Sequence, residues 1–454
     1  MIFVSFQFAG FALITLAIYH TLTPAVRMRF LLAASYVFFL FSGLAEVAIL
    51  ASITLATFLI GRRLADAGPY RRTWLWLGIA INLAALLLTR YLRGSGPAIV
   101  AGLSFYSLQA ISLLVDSYTG ALRTRPSFAA VAVYLAYFPK LLAGPIERPR
   151  SFFDRLSQPK PVDDATVSRA STLIVSGMTR KLVIADPLSR LLPHDAFSSE
   201  ASLAPAASAL VLVVFAFVLY NDFAGYTRIA RGVSALFGID LSRNFVRPFY
   251  AVSFADFWTR WHITLSFWIR DYVYLPLSRA LLRRNPTLWN PANLVLPPMV
   301  AMLLSGVWHG TTYGMTVWGG LHGAYLVIER VVGLVGRKAL ASRGGSSWRR
   351  IPAMLLVFSA STAALAFFHM EGDVALRYFI KMTSAVGTEH VEPLVFLLMA
   401  PSLWLDWMES RHGDEATFAH WPRLGRAAVL AFALGLCFLM TRATSGAPFI
   451  YQAY

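Results

Sequence analysis

The chain is poor in cysteine and in charged residues. Cys437 is the single cysteine among 454 residues, which excludes an intrachain disulfide and a cysteine-rich metal site. Cys437 lies in an apolar run, and such a setting disfavours the thiolate that a nucleophile requires. Charged residues make up 14% of the chain, against about a quarter in soluble proteins. The composition therefore excludes an ordinary soluble domain.

Motifs of several soluble enzyme classes are also missing. The sequence contains no G-x-S-x-G nucleophile elbow, no P-loop, no G-x-G-x-x-G fingerprint and no H-E-x-x-H zinc motif. The formal net charge of +17 indicates basic cytoplasmic loops that face anionic lipid headgroups, rather than a nucleic-acid partner. We therefore expect a protein of the lipid bilayer with no metal site and no bound nucleic acid.

Apolar runs recur along the whole chain, and 57% of the residues are hydrophobic. We predict an all-α polytopic membrane protein with a single domain over residues 1–454 and about eleven transmembrane helices. Runs at 30–42, 98–115 and 170–186 are short or interrupted by polar residues, which is typical of re-entrant or interfacial helices. The polar stretch 148–166 contains several prolines and charges, so we expect an exposed loop there.

Basic clusters predict which loops face the cytoplasm. The last cluster precedes the final apolar run, which places the tail 445–454 on the outer face. Positive charge follows the first apolar run at Arg27 and Arg29, so both termini are expected outside the cytoplasm. The clusters are formed by Arg62, Arg63, Arg71 and Arg72; Arg279, Arg283 and Arg284; Arg337, Lys338, Arg343, Arg349 and Arg350; and Arg423 and Arg426.

One stretch, Asp256 to Leu277, is long enough to enter a membrane and yet is rich in ionisable groups. Such groups are costly at membrane depth unless they pair or line a cavity, so they are candidates for function. If the stretch is helical, His262 and Ser266 lie on one face. The alternative is a helix end at the membrane surface, with tryptophans and arginines facing the headgroups. Its ionisable residues are Asp256, Arg260, His262, Arg270 and Asp271.

A second stretch, Leu303 to Tyr325, contributes His309 directly after Trp308 and before Gly310. The glycine allows a break in the helix, and a neutral imidazole suits general-base chemistry near pH 7. A histidine that only bonds a neighbouring helix is the alternative. We expect His309 and His262 to meet in the interior.

Two further polar groups are candidates for supporting roles. His322 follows His309 by thirteen residues, so on one unbroken helix the two would lie roughly 20 Å apart. They can meet only if a glycine interrupts the helix, and a structural role for His322 is the favoured interpretation. Asp222 follows an apolar run and belongs either to an interfacial turn or to the same interior site.

These motifs together resemble the membrane-bound O-acyltransferase family, and within it the bacterial branch that contains alginate O-acetyltransferases and teichoic acid D-alanyl transfer proteins. The resemblance covers nearly the whole chain. It depends most on FWTRWHITLSFWIRDYVYLPL at Phe257 to Leu277 and LLSGVWHGTTYGMTVWGGLHG at Leu303 to Gly323. It implies a bundle around a central tunnel in the bacterial inner membrane. It also implies that His309 is catalytic and that His262 is the second histidine of the reaction chamber. Trp308, Ser266 and Arg270, which lie near these histidines in the sequence, are our candidates for supporting roles.

The resemblance also implies the reaction partners. An acetyl-CoA or acyl carrier protein thioester is expected as a cytoplasmic donor substrate, with no cofactor bound. An outer-face acyltransferase partner and an envelope polysaccharide are expected on the other side. Tyr451, in the terminal PFIYQAY, matches a tyrosine proposed to carry the acyl group in this branch; the alternative is an aromatic tail at the membrane surface.

Two other functions stay open at this stage. Interior charge and broken helices also suit a transporter or flippase. Paired histidines can also be the axial ligands of a membrane haem. Within the acyltransferase interpretation, the acyl group is either acetyl or D-alanyl.

Overall fold

The computed structural model describes residues 3–66, 68–92, 100–122, 124–193, 196–197, 203–340, 350–383 and 391–443. These residues are mainly helical and form no β-strand. The first ten helices are α1 (Phe6–Thr21), α2 (Pro24–Leu40), α3 (Leu44–Ala65), α4 (Arg71–Leu92), α5 (Leu103–Thr119), α6 (Phe128–Ala136), α7 (Pro149–Ser157), α8 (Asp164–Met178), α9 (Asp186–Leu191) and α10 (Pro205–Ala235). The others are α11 (Phe254–Trp258), α12 (Ile263–Ile269), α13 (Leu275–Arg284), α14 (Pro291–His309), α15 (Tyr313–Leu340), α16 (Arg350–His369), α17 (Gly372–Thr383), α18 (Leu394–His412) and α19 (Arg423–Ala443).

Six of these helices are long and apolar enough to cross a membrane. The all-α polytopic class predicted from the sequence is confirmed. The count of about eleven spans and the central tunnel stay predictions. The six candidate spans, within the described part of the chain, are Leu44–Ala65, Arg71–Thr89, Pro205–Ala235, Pro291–His309, Arg350–His369 and Arg423–Thr441.

The chain divides into two compact units. Unit 1 comprises Met1–Leu182, Asp222–Arg243 and Glu415–Tyr454, and unit 2 comprises Val183–Asn221 and Asn244–Asp414. Both candidate histidine segments belong to unit 2. The single functional domain expected from the sequence stays a prediction.

In unit 1, helices α8 and α10 approach each other closely because glycines replace side chains at their crossing. A Cβ atom on Gly177 would lie 2.6 Å from the carbonyl oxygen of Gly225, and one on Gly225 would lie 2.7 Å from that of Gly177. Such small-residue contacts are a common way for membrane helices to pack. Beside this crossing, Lys181 Nζ pairs with Asp222 Oδ1 at 2.6 Å, and both side chains are buried.

The polar stretch 148–166 is an exposed loop only in part, because residues 158–163 are non-helical and mostly exposed whereas its first half is helical. Residues Pro149–Ser157 form α7, which begins with proline at a position where helices tolerate it. Phe152 is fully buried, with ring centroids 5.5 Å from Tyr134 and 5.8 Å from Tyr137. The prediction was wrong for the first half of the stretch, because a short amphipathic helix needs only one or two apolar anchors, which the surrounding charges conceal.

In unit 2, helices α14 and α15 form a tight hairpin. A Cβ on Gly306 would lie 2.3 Å from the carbonyl oxygen of Met315, and one on Gly319 would lie 2.4 Å from that of Met302. Glycine at both positions therefore lets the two backbones touch. This packing fixes the end of α14, where His309 lies.

Candidate active site

His309 is the last residue of α14 and lies in an aromatic pocket. Its side chain is buried, and its ring centroid lies 5.3 Å from that of Trp318 and 5.0 Å from that of Phe368, both in edge-to-face geometry. Trp308 contacts it from the preceding position at 4.8 Å. Helix α14 ends here because the chain is extended at Gly310. The break that the glycine made possible is therefore present, and it places an imidazole at a helix terminus.

His262 lies where the segment around it changes direction. It precedes α12 and has a φ of 41°, a left-handed conformation that few residues other than glycine adopt. The continuous helix considered for this stretch is therefore absent, since α11 ends at Trp258 and α12 begins at Ile263. A strained backbone held by its surroundings is typical of functional sites.

Asn244 holds His262 in this conformation. Its side-chain oxygen Oδ1 lies 3.2 Å from His262 Nδ1, 3.2 Å from the backbone nitrogen of Thr264 and 2.9 Å from Thr264 Oγ1. The backbone N–H can only donate, so the Asn244 atom at this point is the oxygen, which can only accept. His262 Nδ1 must then carry the hydrogen, and the neutral ring has its lone pair on Nε2.

Burial and a nearby ring keep His262 neutral. His262 is outside the six candidate spans, and burial, assisted by neighbouring His309, lowers its pKa well below the ordinary value of a histidine. The centroids of the two imidazoles are 6.4 Å apart, with the planes inclined by 62°. The structure thus brings together the two histidines from separate segments, and their catalytic roles stay predictions.

His322 shares its surroundings with His309. It is buried in α15, 4.9 Å from Trp318 and 5.0 Å from Trp258 between ring centroids. Because α14 stops at His309 and α15 starts at Tyr313, the two histidines are not on one helix. Trp318 contacts both rings, so the two histidines belong to one aromatic cluster.

Several buried polar atoms around this cluster have no hydrogen-bond partner among the residues that the structure describes. A buried polar group without a partner is destabilising, so such atoms mark places where water or a ligand binds. Four of them surround the histidines from three different segments: Trp258 Nε1, Ser305 Oγ, Trp318 Nε1 and His322 Nδ1.

A cavity of about 410 Å³ in unit 2 is lined by two of these residues, Trp258 and Ser305. Ser305, one turn before His309, is at one part of its wall, and Trp258 and Ser266 line it nearby. Arg270, Arg330 and Glu329 also line it, and most of the remaining wall is apolar. The two arginines outnumber the one carboxylate, so the cavity can hold a molecule with an apolar body and an anionic group.

The remaining candidates from the sequence are distributed as follows. Ser266 Oγ donates to the backbone oxygens of Trp261 and His262 at 3.0 and 3.1 Å, so it supports the turn. Arg270 is half exposed and pairs with Asp271 at 2.9 Å. Asp222 is in unit 1, where it pairs with Lys181, and its role in the histidine site stays a prediction. Tyr451 lies outside the described residues.

Sequence reasoning missed Asn244 and Phe368. Asn244 lies in the run RNFVRPF at residues 243–249, but its three bonds become visible only once the chain has folded back onto the turn at His262. A polar residue inside a motif, before a proline-containing connection, was the available signal. Nothing in the sequence around Phe368 distinguishes it from other apolar helix positions.

Comparisons with known proteins identify the family of this chain. The sequence model of the MBOAT, membrane-bound O-acyltransferase family matches residues 31–343. The chain is 31% identical over 392 residues to a probable alginate O-acetylase of Azotobacter vinelandii, covering 81% of this chain and 75% of the relative. It is 27% identical over 410 residues to a peptidoglycan O-acetyltransferase of Helicobacter pylori, covering 80% and 75%. It is 27% identical over 293 residues to a teichoic acid D-alanyltransferase of Streptococcus thermophilus, covering 62% and 70%. The chain belongs to the membrane-bound O-acyltransferase family and is an acyltransferase.

Proposed function

We propose that the protein moves an acetyl or D-alanyl group from a cytoplasmic thioester donor across the membrane toward hydroxyls of a cell-envelope polysaccharide. The observation that carries this proposal is the pair of buried imidazoles, 6.4 Å apart, one turn from Ser305, which lines a cavity of about 410 Å³. Relatives named for alginate, peptidoglycan and teichoic acid support a polysaccharide acceptor. The proposal places the protein itself in the bacterial inner membrane.

In the proposed reaction, His309 removes the proton from the acceptor hydroxyl. The hydroxyl oxygen attacks the thioester carbonyl carbon, the carbon–sulfur bond breaks, and the thiolate leaves with the proton that His309 returns. His262 accepts a hydrogen bond through Nε2, because its Nδ1–H is donated to Asn244. A neutral ring of this tautomer can orient a reacting group by accepting a hydrogen bond at Nε2. Stabilising negative charge through Nε2 requires a hydrogen on that atom, as in the imidazolium.

The cavity is the proposed donor site. Coenzyme A and acyl carrier proteins both present a thioester at the end of a slender arm that carries phosphate. The apolar wall fits the arm, the unpartnered Ser305 hydroxyl is near the reacting end, and the arginines fit the anionic part. The same cavity therefore suits a coenzyme A thioester and an acyl carrier protein thioester. Identifying the transferred acyl group distinguishes these two donors.

Arg270→Gln tests the donor site. The lost charge raises the KM for donor by about fivefold to tenfold with kcat nearly unchanged, because an anion contact is lost and the histidines are not touched. Arg279→Gln is the matched control, since Arg279 is exposed on α13 and does not line the cavity. Equal KM values in both variants contradict this assignment.

The acyl group and acceptor are tested by chemical analysis of envelope glycans. Cells with and without the protein are compared for ester-linked acetate and D-alanine on each polymer. A loss of one ester from one polymer identifies both, and unchanged esters on every polymer contradict the proposal. A visible haem absorption band in the purified protein would instead favour the haem alternative.

Tyr451 is the proposed outer-face relay. The acyl group moves from the donor to its phenolic oxygen and then to a partner acyltransferase outside the membrane. Mass spectrometry of the C-terminal peptide, after incubation with donor and no acceptor, is expected to show the acyl mass on Tyr451 and none in Tyr451→Phe. An active preparation with no adduct would remove the relay and leave the donor reaction unaffected.

A further inference from the structure

Unit 1 contains a second cavity that the acyltransferase reaction does not use. It has a volume of about 270 Å³ and lies among the end of α3, the start of α4 and the end of α5, below the connection to α6. Thr57 and Phe58 form its inner part, and Arg62, Arg71 and Arg125 line its outer part. We call it the arginine groove.

The arginine groove has an excess of positive charge. Arg125 pairs with Asp66 at 2.9 Å, which offsets one of the three charges. Arg71 donates to the backbone oxygens of Leu64 and Tyr118 at 2.9 and 2.6 Å, and these neutral acceptors fix its guanidinium without neutralising it. Arg62 lies 5.8 Å over the ring of Phe58. Two positive charges therefore remain for an anion.

Thr57 provides a second, independent observation. It is 1% exposed and lines the cavity, and its hydroxyl has no hydrogen-bond partner among the described residues. Neighbouring hydroxyls behave differently, because Thr54 and Ser117 each donate to a carbonyl of their own helix at 2.7 Å. The hydroxyl of Thr57 is thus available to a molecule in the groove.

The surroundings indicate which anion fits. The groove is at an end of two candidate spans, α3 and α4, on the side where arginine clusters predict the cytoplasm. Apolar side chains such as Phe58, Leu113 and Val131 line part of it, and α3 exposes Leu55 and Leu59 at 50% and 52%. A free anion needs no apolar wall, whereas a phospholipid has both a phosphate and acyl chains.

We propose that the arginine groove binds the phosphodiester headgroup of an acidic phospholipid of the cytoplasmic leaflet. Arg62 and Arg71 face the phosphate, Thr57 donates to one of its oxygens, and the acyl chains lie along the exposed leucines of α3. Basic pockets at the cytoplasmic ends of membrane helices commonly bind such headgroups. This site is separate from the histidine cluster and does not depend on the proposed reaction.

Native mass spectrometry of the purified full chain in detergent tests the proposal. Phosphatidylglycerol and phosphatidylcholine with identical acyl chains are compared, and phosphatidylglycerol is expected to give the dominant lipid adduct. Arg62→Gln removes one charge and is expected to weaken phosphatidylglycerol binding about fivefold. Thr57→Val keeps the side-chain shape and is expected to weaken it about threefold to tenfold through the lost hydrogen bond. Arg63→Gln is the matched control, because Arg63 is exposed on the same turn but does not line the groove, and its binding is expected to equal wild type.

Three results would overturn the proposal. Equal binding of phosphatidylcholine would show an apolar occupant. Displacement of phosphatidylglycerol by millimolar inorganic phosphate, measured on the wild-type protein, would show a site for a free anion. Wild-type binding in both Arg62→Gln and Thr57→Val would show that the lipid attaches elsewhere. Arg62→Gln and Thr57→Val are mild substitutions on different parts of the groove. If one of them reduces the yield of folded protein, lipid binding by the other still tests the proposal.

Discussion

Replacement of Asn244 by leucine is the perturbation that most sharply separates positioning from packing. Asn244 Oδ1 accepts three hydrogen bonds, from His262 Nδ1, the Thr264 backbone and the Thr264 hydroxyl. Each bond contributes about 1 kcal/mol, and each buried donor left without an acceptor costs about 1–3 kcal/mol. Because three donors lose this acceptor, Asn244→Leu is expected to lower the free energy of unfolding by at least about 3 kcal/mol. Because the ring of His262 also loses its orientation, the rate of acyl transfer is expected to fall by about 100-fold.

Thr264→Val is the matched control. It removes one of the three donors and keeps the bond to His262. The free energy of unfolding is therefore expected to fall by about 1 kcal/mol, and the rate of acyl transfer is expected to fall only slightly. Thermal unfolding in detergent gives the stability, and single-turnover transfer from a labelled thioester gives the rate. A folded Asn244→Leu protein with wild-type transfer would refute the positioning argument. Equal rate losses in the two variants would show that local stability alone controls the reaction.

Three other predictions address charge, packing and the third histidine. Asn244→Asp places a carboxylate beside His262 and raises its pKa, so the ring becomes protonated at higher pH; the acid limb of the rate against pH is expected to move up by about 1–3 units. Gly319→Ala puts a methyl group 2.4 Å from a carbonyl oxygen of α14 and is expected to cost about 1–3 kcal/mol in thermal unfolding, whereas Gly320→Ala, with its nearest atom at 3.9 Å, is expected to be neutral. His322→Phe keeps the aromatic packing and removes an unpartnered buried nitrogen, so transfer is expected to stay within about threefold of wild type.

Each of these has a result that contradicts it. An unchanged pH profile in Asn244→Asp would show that the ring of His262 does not sense this side chain. Similar melting temperatures for the two alanine variants would show that the hairpin tolerates separation. A large loss of transfer in His322→Phe, in a folded protein, would give that histidine a part in the chemistry.

The broad class and the position of His309 could be read from the sequence. Repeated long apolar runs with few charges predict a membrane protein rather than a soluble one. A histidine next to glycine in such a run indicates a functional position where the helix ends. Helix α14 does end at His309. Because His322 lies on the next helix, the two histidines are not held apart by the length of a single helix. The membrane class and this helix end depend on residues close together in the sequence, so they can be predicted before the fold is known.

The support of His262 could not be predicted in this way. Its left-handed backbone depends on Asn244, eighteen residues earlier, and on a fold-back that no short-range pattern encodes. The sequence left open whether this stretch is one helix, and the structure divides it because tertiary hydrogen bonds hold the turn at His262. The same reasoning explains α7, where one buried phenylalanine outweighs a polar sequence.

The central claim is that His309 is the base for acyl transfer, and one measurement tests it most directly. Purified wild-type protein and His309→Gln are incubated with a labelled acyl thioester and a polysaccharide acceptor, and ester-linked label on the acceptor is counted after one turnover. The glutamine keeps a polar side chain and cannot act as a base, so transfer is expected to fall by at least about 100-fold while the protein remains folded and still binds donor. Transfer at the wild-type rate in folded His309→Gln would contradict the account.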